Sequence, residues 1–437
     1  MRILFVYPNS YLTTSIPLGI AYMSAVLKDA GHSVECFDTT FYKTGEAQNI
    51  KKQKLGQTGT AIDYSLFDVV IKDESDLYTD FEKRIRRFNP DLIAFSVVEE
   101  AWFLTKKLIP FCGNYTVIVG GVFPTFAYDK VKDSFPNITM CIGEGEEWIL
   151  NYINSVGNLC LDLTDINKLP FPDYDIFDTL MQYRPMEGGL KKTLMIETQR
   201  GCPYNCNFCN SKAQKDLYGK NFYRRKSIDK IDIELKYLIN KHSPEFVYWV
   251  GDSFLSMPEI EWQQFKSMYM KYRLPFWMNT RPETITRPRV QDLKEMGCIR
   301  CNLGIEHGDE SFRHRMVNRI ISNETIINAA RCFKNSGINL IVNNIIGYPG
   351  ETRNQLQATI DLCGKIKEHI HSASAFIFTP YHGTELRKYA IENNYLDDRI
   401  ICSNIWSGSL LKNQNINNEE LSNIQGNFNE IIMAANS

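Results

Sequence analysis

Short apolar runs recur along the first 150 residues: RILFVY, SVECFD, DLIAFSVV, YTVIVGG and ITMCIGE. They are rich in β-branched and aromatic side chains and apolar at consecutive positions, the pattern of strands buried on both faces. Between the first two lies IPLGIAYMSAVLKDAGH, with helical spacing and Gly31 placed as a residue just past a helix end. Strands alternating with helices predict right-handed βαβ units and a doubly wound, Rossmann-like parallel sheet over residues 1–150. Residues 42–80 are polar without a clear period and read as an insertion in that domain.

Residues 151–192 carry LPFPDYDIFD and a Gly-Gly pair, and read as a linker. A second alternating series follows: TLMIETQ, EFVYWVGD, PFWMNT, IRCNLGIE, NLIVNNIIG and SASAFIFTP, separated by helical stretches such as SIDKIDIELKYLINKH and NETIINAARCFKNSG. Six βα units over residues 193–386 predict a partial (β/α)6 TIM-like barrel, with functional groups at the C-terminal strand ends. The polar remainder, residues 387–437, reads as a small C-terminal helical region. The fold class is therefore α/β throughout.

Composition changes this picture little. A net charge of −2 gives no basic field for nucleic acid or an anionic membrane surface. No apolar run is long enough to span a bilayer, and the opening MRILFVYPNS is too short for a signal peptide. Twelve cysteines in 437 residues form no dense disulfide framework, and nine are scattered, mostly in apolar runs. A reduced cytoplasmic protein is expected, with no nucleic acid or membrane as partner.

The remaining three cysteines stand together in IETQRGCPYNCNFCNSK, as Cys202, Cys206 and Cys209, directly after a predicted strand. A structural zinc site is closed by four ligands at short spacing. Cys298 and Cys301 make a second C-x-x-C, but Cys301 falls in a strand pattern with no histidine pair beside it. Iron–sulfur clusters normally take four thiolates. Three leave one iron open for a substrate or cofactor.

RGCPYNCNFC resembles the signature of the radical S-adenosylmethionine (radical SAM) superfamily. The resemblance implies that Cys202, Cys206 and Cys209 hold a [4Fe–4S] cluster, whose fourth iron is chelated by S-adenosylmethionine. Reduction by a donor such as flavodoxin or ferredoxin then yields a 5′-deoxyadenosyl radical. Phe208 matches the aromatic residue that touches adenine. Gly251-Asp252-Ser253 stands where the family has Gly-Gly-Glu, so Asp252 and Ser253 would meet the methionine end; a helix N-cap is the alternative for either. Glu306 in LGIEHGDE and Ile345, Gly347 and Glu351 in NNIIGYPGET match further cofactor contacts. Arg281 in NTRPE would grip a carboxylate in bidentate fashion or lie on the surface. These matches cover residues 193–386.

The N-terminal half is similar to the cobalamin-binding domain that precedes many radical SAM domains. By position, Gly120, Gly121, Pro124, Thr125, Gly143, Glu144, Gly145 and Glu146 would line the corrinoid. The D-x-H-x-x-G segment of histidine-ligated cobalamin domains is absent, and Phe123 stands where the family usually shows histidine. Phe123 then marks either an apolar lower corrinoid face or a domain that has lost its ligand. The resemblance implies cobalamin-dependent methylation of an unactivated carbon in a small molecule. The alternatives are radical cyclisation, ring contraction or dehydrogenation without methyl transfer, and an RNA methylthiotransferase. The last needs a second cluster on Cys36, Cys112 and Cys141, which read as core, and a basic RNA-binding tail that LLKNQNINNEELSNIQGN does not supply. The strand ends near Trp249, Asn279, Asn344, Tyr381 and His382 are expected to line the substrate pocket. Tyr381 and His382 are the candidate catalytic residues.

Overall fold

A computed structural model describes residues 1–44, 70–155, 161–186, 189–406 and 408–434. Residues 45–69 of the expected insertion, and Cys160, lie outside the described residues. The described residues divide into two compact units, the first comprising residues 1–44, 70–155, 161–185 and 401–404, the second residues 186, 189–400, 405–406 and 408–434.

In the first unit, β1 (Arg2–Tyr7), β2 (Ser33–Asp38), β3 (Leu92–Ser96), β4 (Val117–Gly120) and β5 (Thr139–Cys141) are the five predicted strands. They form a parallel sheet in the order β2-β1-β3-β4-β5. Chain direction across the sheet reverses between β1 and β3, the switch point beside which doubly wound sheets bind ligands. Helix α1 (Leu18–Asp29) ends as expected, with Gly31 at φ +82°. Helix α2 (Glu74–Phe88) corrects the insertion boundary, because its first turn lies within residues 42–80. Asp73 and Asp76 form a capping box, and Leu77, Phe81 and Ile85 recur every four residues on the buried face. These side chains meet Phe37, Phe95, Trp102 and Phe123 in one core. Helices α3 (Trp102–Leu108), α4 (Val122–Phe126), α5 (Tyr128–Ser134) and α6 (Glu146–Ile153) follow.

The second unit is built on a seven-stranded sheet. Its parallel strands are β7 (Gly189–Glu197), β10 (Phe246–Val250), β11 (Phe276–Thr280), β12 (Cys298–Glu306), β13 (Asn339–Ile346) and β14 (Ser372–Ile377), the six predicted units of an open partial barrel. The expected linker contributes a seventh strand, β6 (Tyr183–Met186), beside β7. A two-stranded ribbon, β8 (Gln199–Arg200) with β9 (Arg224–Arg225), brackets the cysteine loop. Helices α7 (Asn210–Tyr218), α8 (Ile228–His242), α9 (Glu259–Tyr269), α10 (Arg287–Met296), α11 (Asn323–Cys332), α12 (Arg353–Ile366) and α13 (Glu385–Glu392) alternate with the strands. The C-terminal helix α14 (Asn418–Ala434) covers edge strand β14, where Asn429 accepts a hydrogen bond from the Ala373 amide at 3.0 Å.

The faces of two strands correct the expected pocket lining. Trp249 is fully buried on the helix side, stacked on Phe254 and edge-on to Phe265 and Tyr269. Asn344 likewise faces a helix, donating to the Cys363 sulfur of α12 at 3.4 Å. Asn279 takes the other face, where its amide donates to the Tyr248 hydroxyl at 2.7 Å.

Candidate active site

The loop from Gly201 to Cys209 begins at a φ of +83°, where a Cβ on Gly201 would stand 2.8 Å from the Phe222 ring. Only glycine turns there without displacing an aromatic side chain. The loop ends at Cys209, which caps α7: its sulfur accepts from the Ser211 amide at 3.4 Å. A single π-helical turn, Arg313–Val317, fastens the middle of the loop. The Val317 carbonyl accepts from the Asn207 amide at 3.0 Å, and the Met316 carbonyl from the Asn207 side chain at 3.1 Å. Asn318 donates to the Asn205 carbonyl at 2.8 Å. Lys215 of α7 reaches back to the Pro203 carbonyl at 3.1 Å and the Asn205 side chain at 2.9 Å. The loop is thus held at nearly every residue between its cysteines.

Burial pushes the Cys202 thiol up to about 11 and Cys209 up to about 12, and also raises Cys206. Such thiols become thiolate ligands only when a metal group displaces their protons. Among the described residues, no three His, Cys, Asp or Glu side chains converge on one point that could hold a single metal ion. A tetrahedral zinc needs such convergence. A cubane does not, because each sulfur meets a different iron. Three thiols on one fastened loop are a donor set that fits such a cluster.

Beside Cys206 lies a buried network of charge. Arg281 is 8% exposed, which excludes the surface alternative. Its Nη1 donates to Cys206 Sγ at 3.2 Å, its Nε donates to Glu283 at 2.7 Å, and its guanidinium lies 3.6 Å from the Tyr204 ring centroid. Arg319 donates to Glu306 at 2.8 Å and stands 3.9 Å from Glu283. Glu306 sits at φ +70°, where β12 slips register against β13. A left-handed glutamate of this kind costs on the order of 1–3 kcal/mol and persists because its surroundings hold it. Burial raises the Glu306 carboxyl, opposed by Arg319 and Arg281. Four polar atoms in this region are buried without a hydrogen-bond partner: Arg319 Nε and Nη2, Glu283 Oε2 and the Tyr348 hydroxyl. A loosely paired cation and anion with hydrogen-bonding capacity to spare suit a zwitterionic ligand such as an amino acid.

Glu351 is fully buried, and its carboxylate accepts from the Gly347 amide at 2.5 Å, the Tyr348 amide at 3.0 Å and His307 Nε2 at 3.0 Å. The Asp309 amide donates to His307 Nδ1 at 3.1 Å, so the ring proton is on Nε2. Phe208 and Ile345 border one apolar cluster with Phe312, Tyr348 and Phe378. Asp252 is exposed and accepts from the Ser211 hydroxyl, while Ser253 is buried with its hydroxyl bonded to Ser256. Neither caps a helix, since α9 begins only at Glu259 after Pro258. The His382 carbonyl accepts from Asn210 at 2.9 Å and the Tyr381 carbonyl from Thr384, contacts that anchor this turn through its main chain. The sequence reading missed Glu283, Arg319, His307, Tyr348 and the π-turn.

In the first unit, Gly121 has φ +110°, and a Cβ there would stand 2.6 Å from the Val97 carbonyl oxygen. Thr125 donates to the Gly121 carbonyl at 2.8 Å and accepts from the Gly143 amide at 3.0 Å, linking the ends of β4 and β5. Pro124 is buried in α4 and Gly120 packs on Cys141. Glu144 accepts from the Thr164 amide at 2.9 Å, Gly145 packs on Met23, and Glu146 is buried at the start of α6. Phe123 is 1% exposed, with its ring 5.2 Å from Trp102, so it belongs to the core and offers no apolar face to a ligand. Cys36, Cys112 and Cys141 are buried core residues.

A family model described as the radical SAM superfamily matches residues 196–363, the stretch from the end of β7 into α12. Residues 196–363 carry a radical SAM domain. That family uses a [4Fe–4S] cluster and S-adenosylmethionine. An uncharacterized methyltransferase of Pyrococcus horikoshii is 26% identical, over 91% of this chain and 84% of its own length. The anaerobic magnesium-protoporphyrin IX monomethyl ester cyclase of Rubrivivax gelatinosus is 22% identical, over 82% of this chain and 65% of its own length. Among solved structures, the enzyme's fold resembles the radical S-adenosylmethionine methyltransferase TsrM of Kitasatospora setae, with cobalamin and [4Fe–4S] cluster bound. The TM-score is 0.63 at 16% identity, covering 90% of this chain and 78% of that one. No helix among the described residues is long and apolar enough to cross a membrane.

Proposed function

We propose that the enzyme is a cobalamin-dependent radical SAM methyltransferase acting on an unactivated carbon of a small molecule. The carrying observation is the order of parts in one chain. A five-stranded parallel sheet with glycine turns at its strand ends precedes a fastened three-cysteine loop on a partial barrel. The likeness to TsrM, solved with cobalamin, runs over both parts.

When bound, the cluster supplies an electron that splits S-adenosylmethionine to a 5′-deoxyadenosyl radical, and cobalamin supplies the methyl group. The chain's own residues position and shield. Cys202, Cys206 and Cys209 would ligate the cluster. Arg319 takes the cofactor's carboxylate and Glu283 its ammonium group, each through an atom otherwise without a hydrogen bond. Phe208 and Ile345 flank the adenine. Glu351 acts indirectly, fixing the Gly347 turn. Gly120, Gly121, Gly143 and Gly145 keep strand ends free of side chains for the corrinoid. A one-electron donor protein of flavodoxin or ferredoxin type completes the system.

The cyclase relative favours a second reading, radical cyclisation or dehydrogenation without methyl transfer. Buried Phe123 leaves that reading open, because that residue is not set aside for the lower corrinoid face. Anaerobic purification with an absorption spectrum tests cobalamin directly. Product analysis separates the two readings. Methyl transfer yields S-adenosylhomocysteine and 5′-deoxyadenosine together; 5′-deoxyadenosine alone refutes it.

A further inference from the structure

We propose that Arg281 is a charged hydrogen-bond donor to the Cys206 ligand that raises the reduction potential of the cluster, and that it does not clamp the carboxylate of S-adenosylmethionine. The proposal rests on the cluster reading above. Three observations carry it. Arg281 Nη1 lies 3.2 Å from Cys206 Sγ. Its Nε and Nη2 both address Glu283 Oε1, at 2.7 and 2.5 Å. Its flat face lies 3.6 Å from the centroid of Tyr204, a residue of the cysteine loop itself. A carboxylate approaching in bidentate fashion would have to displace Glu283 or Cys206. Arg319 differs, because two of its donor nitrogens have no hydrogen bond.

Reduction takes the cluster from the 2+ to the 1+ state with one electron and no proton. A low-potential one-electron donor, dithionite in the test below, is oxidised in return. The added negative charge is shared with the ligand sulfurs. A fixed guanidinium donating to one of those sulfurs stabilises the reduced state more than the oxidised one, so the potential rises. Glu283 opposes this, since its carboxylate partly cancels the guanidinium charge. The two residues therefore act with opposite sign, which mere loss of packing does not reproduce.

The test uses the full chain reconstituted with iron and sulfide, in parent, Arg281→Gln, Arg281→Lys and Glu283→Gln forms. A redox titration followed by electron paramagnetic resonance reads the midpoint, and equilibrium binding reads affinity for S-adenosylmethionine. Arg281→Gln is expected to lower the reduced-to-oxidised ratio at a fixed poise about tenfold, or about 59 mV for a one-electron couple. Glu283→Gln is expected to move the midpoint upward, and Arg281→Lys to fall between parent and Arg281→Gln. Cofactor affinity in Arg281→Gln stays within about twofold of parent. An unchanged midpoint with affinity lost about tenfold overturns the proposal and returns Arg281 to the carboxylate. If Arg281→Gln fails to retain iron, Glu283→Gln decides: an upward shift supports the proposal and none overturns it. A parent protein with no four-iron signal refutes the cluster reading itself, a distinct failure.

Discussion

Gly347 offers a test of what a glycine at the end of β13 is for. Its φ is +74°, and a Cβ there would lie 2.9 Å from Leu421 Cδ1 on α14. The turn cannot swing away, because the Gly347 amide donates to buried Glu351 and its carbonyl accepts from Gln414 at 3.2 Å. Gly347→Ala therefore meets two costs. Holding alanine in the left-handed region costs roughly 1–2 kcal/mol, and pressing a methyl into Leu421 costs roughly 1–3 kcal/mol. The sum is roughly 2–5 kcal/mol of stability in the second unit. Leu421→Ala, at a fully buried position, costs a similar 2–5 kcal/mol or so by opening a cavity. In the double variant the new methyl faces that cavity, so the combined cost should fall short of the sum by about 1–3 kcal/mol. Urea unfolding of parent, both single variants and the double, followed by tryptophan fluorescence without S-adenosylmethionine, measures each corner of the cycle. Additive losses, or a Gly347→Ala variant as stable as the parent, would refute the reasoning. The first would mean that Leu421 does not press on this site; the second would reserve the glycine for cofactor approach alone.

Three other outcomes are expected. Cys206→Ala should leave reconstituted protein without a four-iron cluster and abolish reductive cleavage of S-adenosylmethionine, measured by iron content and 5′-deoxyadenosine; retained cleavage would remove the cluster assignment. Arg319→Gln should weaken S-adenosylmethionine binding about 10- to 100-fold, the worth of one charge-assisted hydrogen bond, and affinity within about twofold of parent would count against that role. Asp38 is raised to about 6, mainly by burial, while one of its oxygens is held by Thr40. The folded state then binds its proton more tightly than the unfolded chain, so this contribution is full below about pH 4 and lost as pH rises through about 6, a change of roughly 3 kcal/mol. Asp38→Asn should remove that part of the slope in urea titrations at pH 4 to 7, and an identical slope in both proteins would exclude it.

Much of this fold is readable from the chain because parallel strands covered by helices on both faces are apolar at consecutive positions. All eleven expected strands appear. The same property hides orientation. In FVYWV every residue suits a buried strand, so nothing in the run tells that Trp249 faces helix α9 while Tyr248 faces Trp277 across the other side of the sheet. Period two carries information only where one face is wet. The start of α2 was readable and overlooked, since Asp73-x-x-Asp76 before Leu77 and Phe81 is a capping signal inside a polar stretch.

The site divides in the same way. The cysteine spacing is a local property, fixed by one loop, and stands in the sequence. What steadies that loop is not local. Asn207 is held by carbonyls of Met316 and Val317, more than a hundred residues away, and those carbonyls are free for it because the helical turn ends at Val317 and leaves its last carbonyls without intrahelical donors. Backbone carbonyls carry no residue identity, so RHRMV gives no sign of the role. Glu306 is a related case: its carboxylate meets Arg319 from a left-handed backbone at a slip of register, a geometry that glutamate does not advertise. The cysteines proposed to hold the metal group were therefore visible from chemistry and spacing, whereas the residues that brace their loop depend on irregular backbone. That irregularity costs stability wherever it occurs, so its concentration around Cys206 is itself evidence that the region is built for a ligand rather than for packing.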